Sequence, residues 1–189
     1  MDKTKKSIFD AAIKNFSLSG YKGAVMDNIA SDAGVAKGTL YYHFKSKEEL
    51  FNFVIEEGIT FMYEAAKEAI IHKDNPLEKL KIICEVQLHL LYKNRAFFSI
   101  IVSQLWGTEI RHSELRYKLN QYIRYISDIM QDAMDKDLIR KGNASFFAYN
   151  FFGNLISAAL YEVLNGDTIS IDGIIDDLIE YAFNGIALK

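Results

Sequence analysis

Residues 20–50 read GYKGAVMDNIASDAGVAKGTLYYHFKSKEEL, a pattern that predicts two short helices joined by a tight turn. Ile29 and Ala30 lie on one apolar face of the first helix, and Leu40 buries the underside of the second. Gly34, between them, has the backbone freedom that a tight turn requires. The stretch is therefore interpreted as a helix-turn-helix.

The outward face of the second short helix carries cations, hydroxyl groups and aromatic rings. A helix that enters a DNA major groove needs such a set, because cations and hydroxyls contact phosphate oxygens while small or aromatic surfaces meet base edges and thymine methyls. The candidate DNA-binding residues on this face are Lys37, Thr39, Tyr41, Tyr42 and His43.

These residues closely resemble the DNA-binding domain of the tetracycline-repressor (TetR) family. The matching segments are Gly20-Tyr21, Ile29-Ala30, the run from Gly34 to Phe44 and the run from Lys45 to Leu50. Beyond about the first 50 residues, the resemblance is one of length and helical layout. It implies a homodimeric DNA-binding regulator, most simply a repressor, on a palindromic operator. It also adds Gly38 and Lys47 to the DNA-binding residues, with Tyr42, His43 and Lys47 at positions that contact phosphate.

The chain departs from the family pattern where hydroxyl side chains are usual. The family usually has a Thr or Ser pair at the positions of Ala24 and Val25, and often a Ser at the position of Ala36. Such hydroxyls cap the two short helices, a contribution of about 1 kcal/mol each, and touch phosphates. We therefore expect this chain to lack two caps.

The composition predicts an all-α fold, because 1 Pro and 11 Gly in 189 residues leave little to interrupt helices. The predicted domains are a helix-turn-helix domain, residues 1–48, and a helical effector-binding and dimerisation domain, residues 49–189. The first helix is expected to end at Gly20, and a capping box from Ser46 to Glu49 should begin a long helix that continues to about Ile71. Pro76 is expected to begin the next helix.

The charge is distributed unevenly along the chain. Residues 1–50 carry 8 Lys and 6 Asp or Glu, a balance of +2, whereas the whole chain has a net charge of −3. This places the cationic surface at the N-terminus and predicts site-selective DNA binding with weak non-specific affinity. The single cysteine, Cys84, is expected to be a small buried hydrophobe, and the absence of a signal-peptide pattern favours the cytoplasm.

An uncharged segment, residues 142–161, is long enough to span a bilayer. Its embedded Asn and Ser residues argue against a membrane helix. The segment is expected to be a core helix, or a helix buried on two sides against its own domain and a partner subunit.

The sequence favours neither an enzyme nor a carrier protein. An enzyme is not expected, because the histidines at positions 43, 72, 89 and 112 lack metal-ligand spacing and no phosphate loop or nucleophile elbow is present. Neither a cofactor nor a metal is therefore predicted. A helical carrier of small molecules is the main alternative, but a carrier would have no reason to expose Lys37, Tyr41, Tyr42, His43 and Lys47 together.

The effector site is predicted from amides and aromatics embedded in apolar helices, since ligand pockets are mostly apolar with a few convergent polar groups. Each amide could equally be a satisfied core residue or a dimer contact, and each aromatic a core residue. A neutral, largely apolar effector is preferred. The candidate ligand-binding residues are Gln87, Leu88, Leu91, Phe98, Ile101, Gln104, Trp106, Tyr122, Tyr125, Phe151 and Asn154.

The two strongly apolar helices at the C-terminus suit a four-helix dimer interface, which the resemblance also implies. The candidate dimer residues are Phe152, Ile156, Leu160, Ile171, Ile175, Leu178 and Ala182. The expected mechanism is competition between two states, because DNA favours one separation of the recognition helices and the effector favours another. The long helix that follows Ser46 would transmit the difference.

Overall fold

A computed structural model describes residues 1–104, 110–165 and 171–184, apart from the side chains at positions 104, 110–112, 114, 162, 163 and 171. The predicted side-chain roles of Gln104, Trp106 and Ile171 therefore lie outside the described residues. Among the described residues, the regular secondary structure is α-helix without strands, in agreement with the predicted fold class. The helices are α1 (Lys3–Gly23), α2 (Met26–Asp32), α3 (Lys37–His43), α4 (Lys47–Ala69), α5 (Pro76–Lys93), α6 (Arg95–Gln104), α7 (Ile110–Asp135), α8 (Ala144–Asn165) and α9 (Ile171–Asn184).

The chain forms two compact units. The first unit comprises residues Met1–Thr60 and Arg95–Lys118, and the second comprises Phe61–Asn94 and Leu119–Lys189. Helices α1, α2, α3 and α6 belong to the first unit, and α5, α8 and α9 belong to the second. The predicted domain boundary after residue 48 stays a prediction.

The core of the first unit is built on the apolar stripe of α1. Ile8, Ala12 and Phe16 are buried, as their helical spacing predicts. Phe51 of α4 meets the rings of Phe16 and Tyr21 edge-on, each at a centroid distance of 5.0 Å. Such aromatic packing contributes beyond the area it buries and fixes α4 against α1.

The helix-turn-helix prediction is confirmed in α2 and α3. Gly34 has a φ of 67°, a left-handed conformation in which a side chain would be strained. Directly after this turn, the Val35 N–H donates to the Ala30 carbonyl at 3.0 Å. Leu40 is fully buried beneath α3. The turn therefore aims the outer face of α3 at solvent.

Both helices of this motif begin without a side-chain cap, as the missing hydroxyls predict. Val25 is the N-cap residue of α2 and Ala36 that of α3, and neither side chain accepts a hydrogen bond from the first turn. By contrast, the Asn75 side chain accepts from Leu77 and Glu78 at the start of α5. Each missing cap lowers local helix stability by about 1 kcal/mol.

Helix α4 carries a glycine in its interior, where glycine is normally unfavourable. At Gly58, an added Cβ would lie 2.0 Å from Cζ of Phe97, which belongs to α6 in the same unit. The Phe97 ring is buried. Glycine is therefore required here because the ring of one helix rests on the backbone of the other.

Three details at helix ends differ from the sequence expectations. Gly20 does not end α1 but kinks it, at a φ of 67°, and the helix continues to Gly23. Glu49 accepts from the backbone N–H of Lys45 at 2.7 Å instead of closing the predicted reciprocal box with Ser46. Ser46 still accepts from the Glu49 N–H at 3.1 Å. The sequence also predicts a long helix from about Ser113 to Ile139, but α7 ends at Asp135.

In the second unit, α5, α8 and α9 pack against one another. Leu80, Ile83 and Leu88 of α5 are buried, and Ala148 and Leu155 are buried on α8. One face of the uncharged segment thus packs in the core of this unit, while its other face is exposed in the protomer. Among the described residues, no helix has the length and apolar character that crossing a membrane requires.

Candidate functional site

The outer face of α3 presents the predicted DNA-contacting residues together. Tyr42 is 76% exposed and Tyr41 is 37% exposed, while Thr39 and His43 are half-buried. At Gly38 an added Cβ would meet no atom of the described residues within 4 Å, so the backbone is open to a close approach from outside. This face can contact a groove without rearrangement of the helix.

Lysines beside this face hold their ammonium groups in defined positions. Lys37 Nζ lies 2.8 Å from Oδ2 of Asp27, which is in the first turn of α2. This hydrogen bond, together with the carboxylate charge, raises the pKa of Lys37 above its usual value. Lys45 Nζ instead donates to the carbonyls of Tyr41 and Tyr42, each at 3.2 Å, at the end of α3. Lys37 therefore stays protonated at neutral pH.

Lys47, at the start of α4, ties the end of α1 to the motif. Its Nζ donates to the carbonyls of Lys22 at 3.0 Å and Ala24 at 2.9 Å, and it lies 5.0 Å from the centre of the Tyr21 ring. An ammonium group has three donors, so one remains for a phosphate oxygen. Sequence reasoning predicted the phosphate role of Lys47 but did not anticipate its contacts with α1.

A second group of polar atoms lies inside the second unit. Gln87 is fully buried, and its Nε2 donates to the Met62 carbonyl at 2.9 Å. Among the residues that the structure describes, neither Oε1 of Gln87 nor the hydroxyl of the buried Tyr122 has a hydrogen-bond partner. An unpaired buried polar group costs about 1–3 kcal/mol, so native structures rarely keep one without a reason.

The surroundings of the Tyr122 ring are aromatic. The Tyr122 ring meets those of Tyr63 and Phe152 edge-on, each at a centroid distance of 6.3 Å. Burial is the main cause that raises the pKa of Tyr122, with a smaller contribution from Cys84. Burial likewise raises the pKa of the Cys84 thiol, to about 12. Both groups are therefore neutral at physiological pH.

The other predicted ligand-binding residues fall into both units. Leu88, Leu91 and Phe151 are buried in the second unit, with Tyr125 and Asn154 half-buried there. Phe98 and Ile101 are buried in the first unit, on α6. The predicted set thus does not lie within one unit.

The second unit also has a cleft of about 570 Å³, and of the predicted ligand-binding residues Phe151 lines it. Leu80 and Met130 line its apolar wall together with Phe151, while Arg140 and Asn150 supply its polar groups. The Arg140 guanidinium lies 5.0 Å from the centre of the Phe147 ring. The hydrophobic periodicity of the sequence does not predict this cleft. Arg140 follows the end of α7, and the other lining residues come from α5, α7, α8 and α9 as well as from this connection.

The predicted dimer residues differ in exposure. Ile175 is buried within its own unit, Phe152, Ile156 and Leu178 are half-buried, and Leu160 and Ala182 are exposed. The exposed apolar side chains of α8 also include residues that were not predicted, namely Phe146, Tyr149, Tyr161 and Leu164. Apolar exposure on this scale is typical of an interaction surface.

The region that contains the helix-turn-helix matches a known protein family. Residues 8–54 match the family model described as bacterial regulatory proteins, tetR family. The model spans α1, α2, α3 and the beginning of α4, which carry the face described above.

Three similar proteins match nearly the whole chain. A Clostridium perfringens structure, assigned as a fatty acid metabolism regulator, is 46% identical with a TM-score of 0.91 and covers 97% of this chain and 100% of that one. The fatty acid metabolism regulator protein of Bacillus subtilis is 28% identical over 96% of this chain and 95% of its own length. The structure of the regulator FadR from Bacillus subtilis in complex with stearoyl-CoA has a TM-score of 0.85 at 24% identity, covering 96% and 99%.

These relatives are regulators, which favours a DNA-binding role over the small-molecule carrier considered from the sequence. The family match covers the motif that was identified from the residues, and the similarity to the Clostridium perfringens protein covers the rest of the chain. The chain therefore belongs to the tetR family of bacterial regulatory proteins and is a DNA-binding transcriptional regulator.

Proposed function

We propose that the protein is a cytoplasmic, homodimeric repressor that binds a palindromic operator through α3 and is released from it by an acyl-CoA thioester. The DNA arm of this proposal rests on the exposed face of α3 and on Lys37, Lys45 and Lys47 beside it. In a dimer, two such helices must fit successive major grooves, about 34–36 Å apart. An effector acts by favouring a different separation.

Lys47→Ala is expected to weaken binding to all DNA sequences alike, because a phosphate contact carries no sequence information. A dimer that loses two phosphate contacts should show a slope of log K against log salt that is smaller in magnitude by about 1.8. Fluorescence anisotropy across a salt series measures the slope. Lys136→Ala, which removes an exposed cation of the second unit, is the control for net charge. An unchanged slope would remove Lys47 from the phosphate contacts.

The effector arm rests on one observation, the pair of unpartnered polar atoms on Gln87 and Tyr122 in an apolar interior. Tyr122 offers a neutral O–H donor and Gln87 a carbonyl acceptor. An acyl-CoA carries matching groups, since its thioester carbonyl accepts hydrogen bonds, its pantetheine amides donate them, and its acyl chain is apolar. The related structure that holds stearoyl-CoA makes this the first chemical class to test.

Tyr122→Phe is expected to raise the free energy of unfolding by about 1–3 kcal/mol, because it removes a buried hydroxyl that has no partner. The same change should weaken acyl-CoA binding by about two- to tenfold, since a hydrogen bond to the ligand is lost. Urea denaturation and ligand titration measure the two effects. Tyr149→Phe is the matched control, because that hydroxyl donates to Asn120 and its loss should not stabilise the protein. A less stable Tyr122→Phe protein would contradict the assignment.

The proposed function is tested on operator DNA selected from a random pool. Stearoyl-CoA, palmitoyl-CoA, isovaleryl-CoA, free CoA and palmitate are each titrated into the complex. At least one thioester should weaken operator binding by about 5–150-fold, and operator should weaken the binding of that thioester by the same factor. If no thioester changes operator affinity, the effector class is wrong, while selection of a palindrome would still support the DNA arm.

A further inference from the structure

Three lysines surround the exposed face of α3. One of them pairs with a carboxylate, whereas the other two pair with backbone carbonyls. Lys45 and Lys47 donate to neutral backbone carbonyls at 2.9–3.2 Å. They therefore retain a full positive charge toward DNA. The ammonium of Lys37 lies 2.8 Å from the carboxylate of Asp27, so that charge is locally neutralised.

The Lys37–Asp27 pair lies on the surface. The side chains of Lys37 and Asp27 are 64% and 51% exposed, and Asp27 belongs to α2 while Lys37 begins α3. An exposed pair of this kind contributes little to stability, so a suitable DNA surface can exchange its partners at small cost. The pair therefore matters more for DNA recognition than for stability.

We propose that Asp27 is a specificity-determining residue, which holds Lys37 away from phosphates on arbitrary DNA and allows it to contribute only at the operator. The proposal rests on the proposed role of α3 as the recognition helix. A free lysine binds the phosphates of every sequence and adds to non-specific affinity. A lysine that is paired with a carboxylate adds binding free energy only where base edges form hydrogen bonds with both the ammonium and the carboxylate.

Base chemistry supplies such edges. Lysine pairs with the O6 and N7 acceptors of guanine, and a carboxylate accepts from the N4 amino group of cytosine. Phosphate oxygens satisfy the lysine alone and repel the carboxylate. The Lys37–Asp27 pair therefore favours particular bases over phosphate, which widens the gap between operator and random DNA.

Asp27→Asn tests this directly. Binding to random DNA should tighten, and two additional phosphate contacts per dimer should raise the salt slope by about 1.8 in magnitude. The affinity gain over the parent protein should then be about tenfold larger at 50 mM than at 200 mM salt. Operator affinity should rise less, so the ratio of operator to random binding should fall.

Asp132→Asn is the matched control, because Asp132 forms an exposed pair with Lys136 at 2.9 Å in the second unit. It makes the same change in net charge away from α3. If Asp132→Asn tightens random binding as much as Asp27→Asn does, or if operator and random DNA gain equally, the proposal is overturned.

The double variant Asp27→Asn/Lys37→Gln separates two explanations. If Asp27 acts by holding Lys37, the effect of Asp27→Asn disappears when Lys37 is already Gln. If the effect persists, Asp27 acts only as a negative charge that repels phosphate, and the proposal is wrong. Asp27 also occupies the first turn of α2, where a carboxylate favours the helix dipole, so melting temperatures are compared in parallel.

Lys45→Gln checks the role of α3 independently. Loss of a phosphate contact should weaken binding to random and operator DNA alike. If Lys45→Gln and Lys37→Gln both leave DNA binding unchanged, α3 is not the recognition helix. That result would overturn the proposed function and this inference together, whereas failure of the Asp27 variants alone would leave the recognition helix in place.

Discussion

Phe97→Ala is expected to lower the free energy of unfolding by about 3–5 kcal/mol, because the buried ring rests on the backbone of α4 at Gly58. Removal of the ring leaves a cavity between two helices that cannot fully close. Urea denaturation measures the loss. Phe61→Ala is the control, since Phe61 is 59% exposed and its truncation should change stability by less than about 0.5 kcal/mol.

The same contact predicts that two harmful changes compensate each other. Gly58→Leu alone should destabilise the protein, because a Cβ there would lie 2.0 Å from Phe97 Cζ. Combined with Phe97→Ala, the leucine should partly fill the vacated space and recover stability. Additive losses in the double variant would show that the ring and the glycine do not share one contact.

Leu160→Asp is expected to produce a folded monomer that no longer holds the operator. Leu160 is 54% exposed in the protomer, so the charge does not disturb the core, but two unpaired carboxylates would be buried in a dimer interface formed by α8 and α9. The cost is several kcal/mol of dimer stability. Operator binding should collapse with it, since a monomer contacts only half of a palindrome. Sedimentation and anisotropy measure the two losses.

Ile71→Asp is the control for this variant, because Ile71 is 71% exposed in the same unit but lies in the turn that follows α4. It should leave the dimer and the operator affinity unchanged. A dimeric Leu160→Asp protein would remove this face of α8 from the interface. Ile175→Asp, at another of the predicted dimer residues, tests something else, because Ile175 is buried in its own protomer and a charge there should unfold it.

Much of the fold followed from local signals. Pro76 begins α5 with Asn75 as its cap because proline fixes φ near its helical value, and Gly34 turns the chain between α2 and α3 because glycine tolerates a φ of 67°. The end of α7 carried no such signal. There, Asp137 adopts a φ of 54°, a conformation that Asp tolerates but that an Asp in a sequence does not predict. The Leu138 N–H then donates to the Ala133 carbonyl at 2.9 Å.

The site was predictable where it depends on one helix and not where it depends on several. The outer face of α3 follows from helical spacing, and Gln87 stood out as an amide on an apolar stripe. The pairing of Lys37 with Asp27 joins two helices across a turn, and the contacts of Lys47 with the end of α1 join residues far apart in sequence. Such contacts arise from packing, which periodicity does not encode.

The missing N-terminal caps of α2 and α3 affect the dynamics of these helices. Short helices without caps open at a lower free energy than the surrounding core, so their amide hydrogens exchange with solvent through local opening while the rest of the unit stays folded. In the DNA-free protein, α3 is therefore expected to be locally unfolded in a fraction of the molecules. Operator binding closes that fluctuation, and the occupied repressor is the form best protected from proteases.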